Sequence, residues 1–248
     1  MRPDTASERG STGAASLRSL KVGGVTPFTA TDFPGLLAAV VFVQGCPWRC
    51  GYCHNTHLQP RTRHAAVDWQ DVMHLISRRV GLIDGVVFSG GEPTSDPALA
   101  HAIGDVRKLG FKVGMHSAGT HPRRFERVLP QLDWVGFDVK ALFEEYERIT
   151  RVRDSGEPAR RSLEALLASG VDFECRTTAH PSLHSEPALL ALGQTLAAMG
   201  VKRYVLQIFR KQGSHDAALN AVGVSGYPSE ATIEHVRGLF QSFDIRRA

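Results

Sequence analysis

Strand-like runs alternate with amphipathic helical segments six times along this chain, and that order constrains the fold more than any other feature. The predicted strands are 38–44, 85–89, 111–117, 134–140, 172–178 and 203–209. The predicted helices are 69–79, 97–109, 123–129, 161–169, 186–199 and 230–240, with helix N-caps expected at Asp68, Ser185 and Ser229. A repeated strand–helix order predicts an α/β fold with a parallel sheet.

The two faces of the predicted strands differ. In the fourth strand, Val135, Phe137 and Val139 share one face, whereas Asp138 and Lys140 lie on the other. A flat sheet covered by helices on both sides is apolar on both faces. The pattern therefore predicts an open (β/α)6 partial TIM barrel, with helices outside and a polar interior. Ligands are expected at the carboxyl ends of the strands.

Composition limits the class of protein. The 248 residues with 42% hydrophobic content can form one sizeable core, so we expect a single domain over residues 19–248. Residues 1–18 are rich in Ser, Gly and Ala, and we expect a disordered tail there. The net charge of +4 is spread over scattered arginines, which favours a solvated surface over a nucleic-acid site. No apolar run suits a membrane span, and we expect a cytoplasmic protein.

Three of the four cysteines, Cys46, Cys50 and Cys53, lie within eight residues directly after the first predicted strand. Clustered cysteines in a chain of this length favour a metal or cluster site over disulfides. Iron–sulfur cubanes normally take four thiolates, so three would leave one iron open. Cys175 lies on the apolar face of its strand and is interpreted as a core residue. A zinc site completed by His54 or His57 stays open as an alternative.

A second motif narrows the choice. Gly90-Gly91-Glu92-Pro93 follows the second predicted strand, and together with the cysteine spacing it resembles the radical S-adenosylmethionine superfamily. The resemblance implies a [4Fe–4S] cluster whose open iron chelates S-adenosylmethionine. One electron then cleaves this cosubstrate to methionine and a 5′-deoxyadenosyl radical, which abstracts a hydrogen atom. In that superfamily the glycine motif lies along the methionyl amino group.

A closer resemblance runs from Lys21 to Arg210. Segments 31–35, 44–47, 52–55, 138–140 and 204–210 are similar to the glycyl-radical-enzyme activases. The pattern most resembles the longer form of the activating protein of anaerobic ribonucleoside-triphosphate reductase. The resemblance implies a glycyl radical enzyme as partner, here anaerobic ribonucleotide reductase, and an electron donor such as flavodoxin or ferredoxin. Neither nucleic acid nor membrane is expected as a partner.

The same resemblance assigns roles to side chains. It implies that the cosubstrate is bound by Tyr52, Gly90, Gly91, Glu92, Ser117, Asp138, Lys140, Arg176 and Gln207. Tyr52 would lie beside adenine or brace the loop, and Asp138 and Lys140 would contact the ligand or pair with each other. His116 stands where many activases have an acidic residue, which puts a monovalent-cation site in doubt.

Two further readings stay open. A radical enzyme acting on a small molecule, similar to 7-carboxy-7-deazaguanine synthase, shares the glycine motif. A zinc-binding module without catalysis would show zinc in place of iron and acid-labile sulfide. Residues 211–229 form a long predicted loop at the mouth, and we expect it to meet a protein substrate. We also expect a Val at position 91 to weaken cosubstrate binding and leave the cluster intact.

Overall fold

The computed structural model describes residues 19–247, so the predicted tail over 1–18 lies outside the described residues. Its strands are β1 Val22–Thr29, β2 Ala38–Val43, β3 Gly85–Gly90, β4 Lys112–Ser117, β5 Trp134–Asp138, β6 Asp172–Ala179, β7 Arg203–Ile208 and β8 Ser242–Arg246. Its α-helices are α1 Trp69–Ser77, α2 Leu99–Lys108, α3 Pro122–Val128, α4 Tyr146–Thr150, α5 Gly156–Ser169, α6 Glu186–Met199, α7 Ala217–Ala221 and α8 Glu230–Arg237.

The eight strands of the described residues form one sheet in chain order, in which β1 and β8 are the edge strands, and β1 makes one further bridge from Val22 to Val67. β1 pairs antiparallel with β2, and every later pair is parallel. The predicted open barrel is confirmed and its six predicted strands correspond to β2–β7, whereas the two additional edge strands β1 and β8 were not predicted. β1 carries Gly23, Gly24 and Pro27, which are poor strand formers, and β8 is only five residues long.

The predicted helices are present with shifted ends. The side chains of Asp68, Ser185 and Ser229 accept hydrogen bonds from backbone N–H groups of the first helical turn, as expected for N-caps. Helix α5 begins five residues earlier than predicted, and α8 ends three residues earlier. The short helices α4 and α7 were not predicted, and α7 lies inside the region assigned to a loop over 211–229.

Two apolar cores lie on opposite faces of the sheet. The large one fills the space between the sheet and the outer helices and includes the fully buried Cys175. The small one lies inside the barrel and consists of Phe33, Ala38, Val40, Val87 and Trp134. The rings of Phe33 and Trp134 stack with centroids 5.7 Å apart. This inner core closes the amino-terminal end of the barrel, so the interior opens at the carboxyl ends of the strands.

The helices of the chain are short relative to a bilayer. Over residues 19–247, no helix is both long enough and apolar enough to cross a membrane.

Candidate active site

The barrel interior holds one large cavity of about 820 Å³ at the carboxyl ends of the strands. This volume lies within the usual range for ligand sites. All twelve residues predicted from the sequence to hold the cluster or the cosubstrate line this cavity: Cys46, Cys50, Tyr52, Cys53, Gly90, Gly91, Glu92, Ser117, Asp138, Lys140, Arg176 and Gln207. The structure thus brings the predicted residues together, and their individual roles stay predictions.

The cysteine loop, residues 45–59, follows β2 and is held at both ends. The N–H of Gly45 donates to the carbonyl of Leu58 at 2.7 Å, and the N–H of Cys46 donates to the carbonyl of Gln59 at 2.9 Å. The side-chain amide of Gln44 closes the base of the loop by donating to the carbonyl of Pro60 at 2.6 Å. These bonds fix the backbone on which the three thiols are carried.

Helix α4 joins this loop to the end of β5. The ring of Trp48 meets Tyr146 edge-on at 5.7 Å, and the N–H of Arg49 donates to the carbonyl of Thr150 at 2.8 Å. The hydroxyl oxygen of Tyr146 in turn accepts from the N–H of Lys140 at 3.0 Å. The bracing roles of Trp48 and Tyr146 were not predicted, because the five-residue helix α4 is too short to show a hydrophobic periodicity. The aromatic side chains of these two residues are the feature of the sequence that could have indicated packing between them.

Lys140 is the cation nearest the thiols. Its ammonium lies 3.4 Å from the carboxylate of Asp138 and 5.6 Å from the ring centre of Tyr52. Burial alone would lower the pKa of Lys140, but Tyr52, Asp138 and Cys50 together raise it well above 10.5. The lysine is therefore charged at neutral pH, and Asp138 and Lys140 form the ion pair that was one of the two predicted alternatives.

Two of the three thiols are held in surroundings that disfavour a free thiolate. Burial, and then the nearby Glu92, raise the pKa of the Cys46 thiol to about 12, and burial also raises the pKa of Cys50. The charge of Lys140 opposes both shifts. Ligation requires deprotonated thiols, and the positive charge of iron would favour that form when it is bound.

The glycine turn, residues 90–92, packs directly on the cysteine loop. Gly90 has a φ of 115°, which favours glycine. A Cβ on Gly91 would lie 2.5 Å from the carbonyl oxygen of Gly45 and 2.8 Å from that of Leu58. Gly91 is therefore required for the contact between two protein segments. The sequence-based reason, that a side chain there would fill only cosubstrate space, needs correction, because the first clash is with the cysteine loop.

Glu92 is 1% exposed and its carboxylate has four protein donors. It accepts from the N–H and hydroxyl of Thr94 at 3.1 and 2.6 Å, from the hydroxyl of Ser117 at 2.8 Å and from the N–H of Ala118 at 2.9 Å. Burial raises the pKa of Glu92, and these hydrogen bonds oppose the shift. The carboxylate thus ties the ends of β3 and β4 together. Contacts of Glu92 and Ser117 with a cosubstrate stay predictions.

A charged layer lies between the cavity and the inner apolar core. The guanidinium of Arg176 lies 5.0 Å from the ring centre of Trp134 and donates to Glu174 at 2.7 Å. Glu174 also pairs with Arg246 of β8 at 3.0 Å. Within the described residues, the Nη2 atom of Arg176 is buried and has no hydrogen-bond partner. A buried donor without a partner is costly, and an oxygen-rich ligand in this cavity would satisfy it.

His116 belongs to the same layer. Its Nε2–H donates to the carbonyl of Asp32 at 2.9 Å, so Nδ1 is left to accept from the hydroxyl of Ser89 at 3.4 Å. Burial, and then the charges of Arg176 and Arg246, lower the pKa of His116 well below 6.5. A neutral ring with both nitrogens engaged therefore occupies the position where many activases were expected to have a carboxylate.

The remaining residues considered from the sequence lie in three places: the cavity lining, the outer core and the cysteine loop. Gln207 is half-buried on β7 opposite Arg246 and lines the cavity. Cys175 is fully buried on the helix-facing side, which confirms the prediction that it is a core residue. The Nε2–H of His54 donates to the carbonyl of Arg210 at 3.0 Å and its ring stacks on Phe209, while His57 is exposed. Three thiols at one wall and the unpaired donor of Arg176 fit a cluster and an oxygen-rich cosubstrate.

Sequence comparison gives the same reading. The family model described as the Radical SAM superfamily matches residues 40–187, more than half of the chain. A Methanocaldococcus jannaschii protein with the provisional name glycyl-radical enzyme activating enzyme is 28% identical over 205 residues, covering 79% of this chain and 82% of that protein. The pyruvate formate-lyase-activating enzyme of Clostridium pasteurianum is 30% identical over 139 residues, covering 52% of this chain and 57% of the enzyme.

Solved structures confirm the fold. SuiB from Streptococcus suis bound to S-adenosylmethionine matches with a TM-score of 0.62 at 14% identity, over 83% of this chain and 49% of SuiB. The chain thus spans about half the length of SuiB. QueE from Escherichia coli matches with a TM-score of 0.57 at 16% identity, over 97% of this chain and all of QueE. The chain belongs to the radical SAM superfamily, whose members are enzymes that use a [4Fe–4S] cluster and S-adenosylmethionine.

Proposed function

We propose that this chain activates a glycyl radical enzyme, and that its partner is an anaerobic ribonucleoside-triphosphate reductase. The observation that carries the proposal is similarity to proteins named as glycyl-radical enzyme activating enzymes, one of which aligns over 79% of the chain. The segments 31–35, 52–55 and 138–140 support an activase, and the whole pattern from Lys21 to Arg210 supports the reductase activase within that group. The proposal places the chain in the cytoplasm, where thiols are kept reduced.

The shape of the site supports a protein substrate. Residues that follow β1 and residues of β8 both line the cavity, so it reaches toward the edge strands of the open sheet. We propose that a flexible loop carrying a glycine enters there. When bound, the cluster and cosubstrate supply the radical chemistry that removes a hydrogen atom from that glycine.

The residues of the protein bind the cosubstrate and orient it toward the substrate. Arg176 offers its unpaired donor to an acceptor on the cosubstrate, and Lys140 with Asp138 holds charge beside the thiols. Trp48 and Tyr52, both part of the cysteine loop, have buried side chains that exclude water from that wall. Hydrogen abstraction depends on the approach of the reacting atoms, so positioning controls the rate.

The test is electron paramagnetic resonance of the partner. Anaerobic mixing of the reduced, reconstituted protein, S-adenosylmethionine and a folded reductase should give the doublet of a glycyl radical, and a Cys53→Ala protein should give none. Absence of the doublet while methionine and 5′-deoxyadenosine are formed would contradict the proposal.

A second test concerns the region 211–229. Val222 is an apolar side chain with 37% of its surface exposed. If this region meets the partner, Val222→Asp should slow radical formation on the reductase several-fold and leave uncoupled cosubstrate cleavage unchanged. Equal slowing of radical formation and of uncoupled cosubstrate cleavage would contradict the proposal that residues 211–229 meet the partner.

A second candidate function is radical chemistry on a small molecule. It is favoured by the size of the cavity and by the charged groups of Asp138, Lys140 and Arg176 in its lining. The same resonance experiment separates the two candidates, because a small-molecule enzyme cleaves the cosubstrate with its own substrate and leaves the reductase without a radical.

A further inference from the structure

The cysteine loop has an inner and an outer side. Every second residue from Cys46 to Tyr52 lines the cavity, whereas Arg49 and Gly51 are outside that lining, and Arg49 is exposed. The substrate and the cosubstrate both need the inner side. The outer side of the loop is therefore the part of the cluster surroundings that another molecule can reach during turnover.

Gly51 has no side chain, and groups of three other residues pack at the position that its Cβ would take. These groups are the carboxylate of Asp216 at 2.9 Å, the guanidinium of Arg151 at 3.1 Å and the side chain of the buried Leu219 at 3.7 Å. Arg151 and Asp216 form an ion pair of 3.2 Å across this position, in which the Arg151 side chain is 62% exposed and the Asp216 side chain 20%. At Gly51 the outer side of the loop is thus covered by this ion pair and by Leu219, and the guanidinium of Arg151 faces solvent.

The turn that supplies Arg151 is strained. Arg151 and Asp154 have φ angles of 58° and 54°, in the left-handed region that favours glycine. The carbonyl of Thr150, directly before this turn, accepts the N–H of Arg49 at 2.8 Å. Backbone strain concentrates at functional positions, and here it holds an arginine against the outer side of the cysteine loop.

Exposed cations surround this position. We define the basic face as Arg49, Arg151, Arg153 and Lys211, all exposed. Lys211 follows Arg210, whose carbonyl is 3.0 Å from the ring of His54, so it borders the same loop from the other side. The neighbouring carboxylates are Asp154, Asp216 and the exposed Glu147, whose backbone carbonyl accepts the N–H of Arg151. Among the four cations, Arg151 alone has a salt-bridge partner within the described residues. The other three give this face a positive field that attracts an acidic surface over about 10 Å at moderate salt.

We propose that the basic face is the docking site for an acidic protein that delivers one electron to the cluster. One electron leaves the carrier, which is oxidised by one electron, and enters the cluster, which is reduced by one; no bond forms or breaks. The inference rests on the cluster of the radical SAM superfamily and is independent of the identity of the partner whose glycine is activated.

The test uses the cluster-loaded protein and a flavodoxin, an acidic carrier. Arg153→Glu combined with Lys211→Glu reverses two charges of the basic face without touching the thiol ligands. Because charges at the rim of an interface act mainly on association, the affinity for flavodoxin at low salt should fall about tenfold or more. Reduction of the cluster by flavodoxin hydroquinone should slow similarly, and reduction by dithionite should stay unchanged.

A matched control separates the basic face from net charge. Lys112 and Lys202 are exposed at the opposite, amino-terminal end of the strands, and Lys112→Glu with Lys202→Glu changes the net charge equally. This pair should keep the affinity for flavodoxin within about twofold. The neutral pair Arg153→Gln with Lys211→Gln should give an intermediate loss.

Three outcomes would overturn the inference. They are an equal loss of affinity in the control pair, an unchanged affinity in both charge-reversed proteins, and normal flavodoxin binding with lost radical formation on the reductase. The last outcome would assign the face to the reductase. Binding and cluster reduction are measured without any glycyl radical enzyme, so failure of the proposed function leaves these results readable.

Discussion

The cysteine loop and the glycine turn are neighbours in the structure, but they use their polar groups in opposite ways. The loop carries thiols toward the cavity and raises the pKa of Cys46 and Cys50 by burial. In the turn, the carboxylate of Glu92 already has four protein donors. The comparison teaches that a motif which is diagnostic of ligand binding can contribute mainly by bracing the segment that binds.

The largest expected effect falls on the loop. Cys46→Ala, Cys50→Ala or Cys53→Ala should each abolish the cluster, because each removes a required thiolate. Cys175→Ala should retain it, since Cys175 is fully buried in the outer core. The iron and acid-labile sulfide contents of each variant after anaerobic reconstitution measure whether the cluster is lost or retained. A Cys175→Ala protein without a cluster would remove the distinction between loop and core cysteines.

The next effect sharpens the role of the turn. Gly91→Ala places a Cβ 2.5 Å from the carbonyl of Gly45, and overpacking of this kind should cost about 1–3 kcal/mol of unfolding free energy. It should also lower iron content, because the cysteine loop must shift.

Gly104 offers the matched control. A Cβ on Gly104, in helix α2, would meet nothing within 4 Å. Gly104→Ala should therefore stabilise the protein by about 0.5–1 kcal/mol. Denaturant unfolding and iron analysis measure both variants. Full iron occupancy with weaker cosubstrate binding in Gly91→Ala would restore the interpretation made from the sequence.

A somewhat smaller loss is expected at Glu92. Glu92→Gln keeps the shape but turns one accepting oxygen into a donor, so a buried N–H or hydroxyl loses its acceptor, at about 1–3 kcal/mol. Glu126→Gln on the exposed side of α3 is the control and should be neutral. The melting temperatures of the two proteins measure the difference. Equal melting temperatures would contradict the bracing role.

The smallest effect concerns pH. Because burial and nearby arginines lower the pKa of His116 well below 6.5, the folded protein keeps the ring neutral where the unfolded chain binds a proton. Below about pH 6.5 the unfolded state thus binds more protons than the folded state. The free energy of unfolding therefore decreases as the pH is lowered. His116→Gln should reduce this loss between about pH 7.5 and 5.5 in urea unfolding, and a change at the exposed His74 should not. An unaltered pH dependence in His116→Gln would show that His116 accepts a proton in the fold.

The sequence predicted the parts that depend on alternation and on motif spacing. The strands β2 to β7 and their polar interior follow from alternation. The twelve residues predicted to line the cavity came mostly from the resemblance to the radical S-adenosylmethionine superfamily. The edge strands were missed because Gly23, Gly24 and Pro27 in β1 and the short β8 carry weak strand propensity. Tyr146, which links Trp48 to Lys140, was missed because helix α4 is too short to show a periodicity and because its contact with Trp48 joins segments distant in the sequence.

The spacing of residues in the sequence also does not show which other parts of the protein pack against a given side chain. Glu92 was expected to face a ligand because its motif does so in the superfamily, and no pattern in the sequence shows that Thr94, Ser117 and Ala118 converge on it. The same holds for Gly51, whose lack of a side chain has meaning only once Arg151 and Asp216 are seen above it.

The inner apolar core has a consequence for the order of events in catalysis. Phe33 and Trp134 seal the amino-terminal end of the barrel, so molecules enter and leave the cavity at the carboxyl ends of the strands and along the adjoining open edges of the sheet. A protein partner seated there would stand in the way of methionine and 5′-deoxyadenosine. Departure of the partner would then precede product exchange, and each encounter would allow a single turnover.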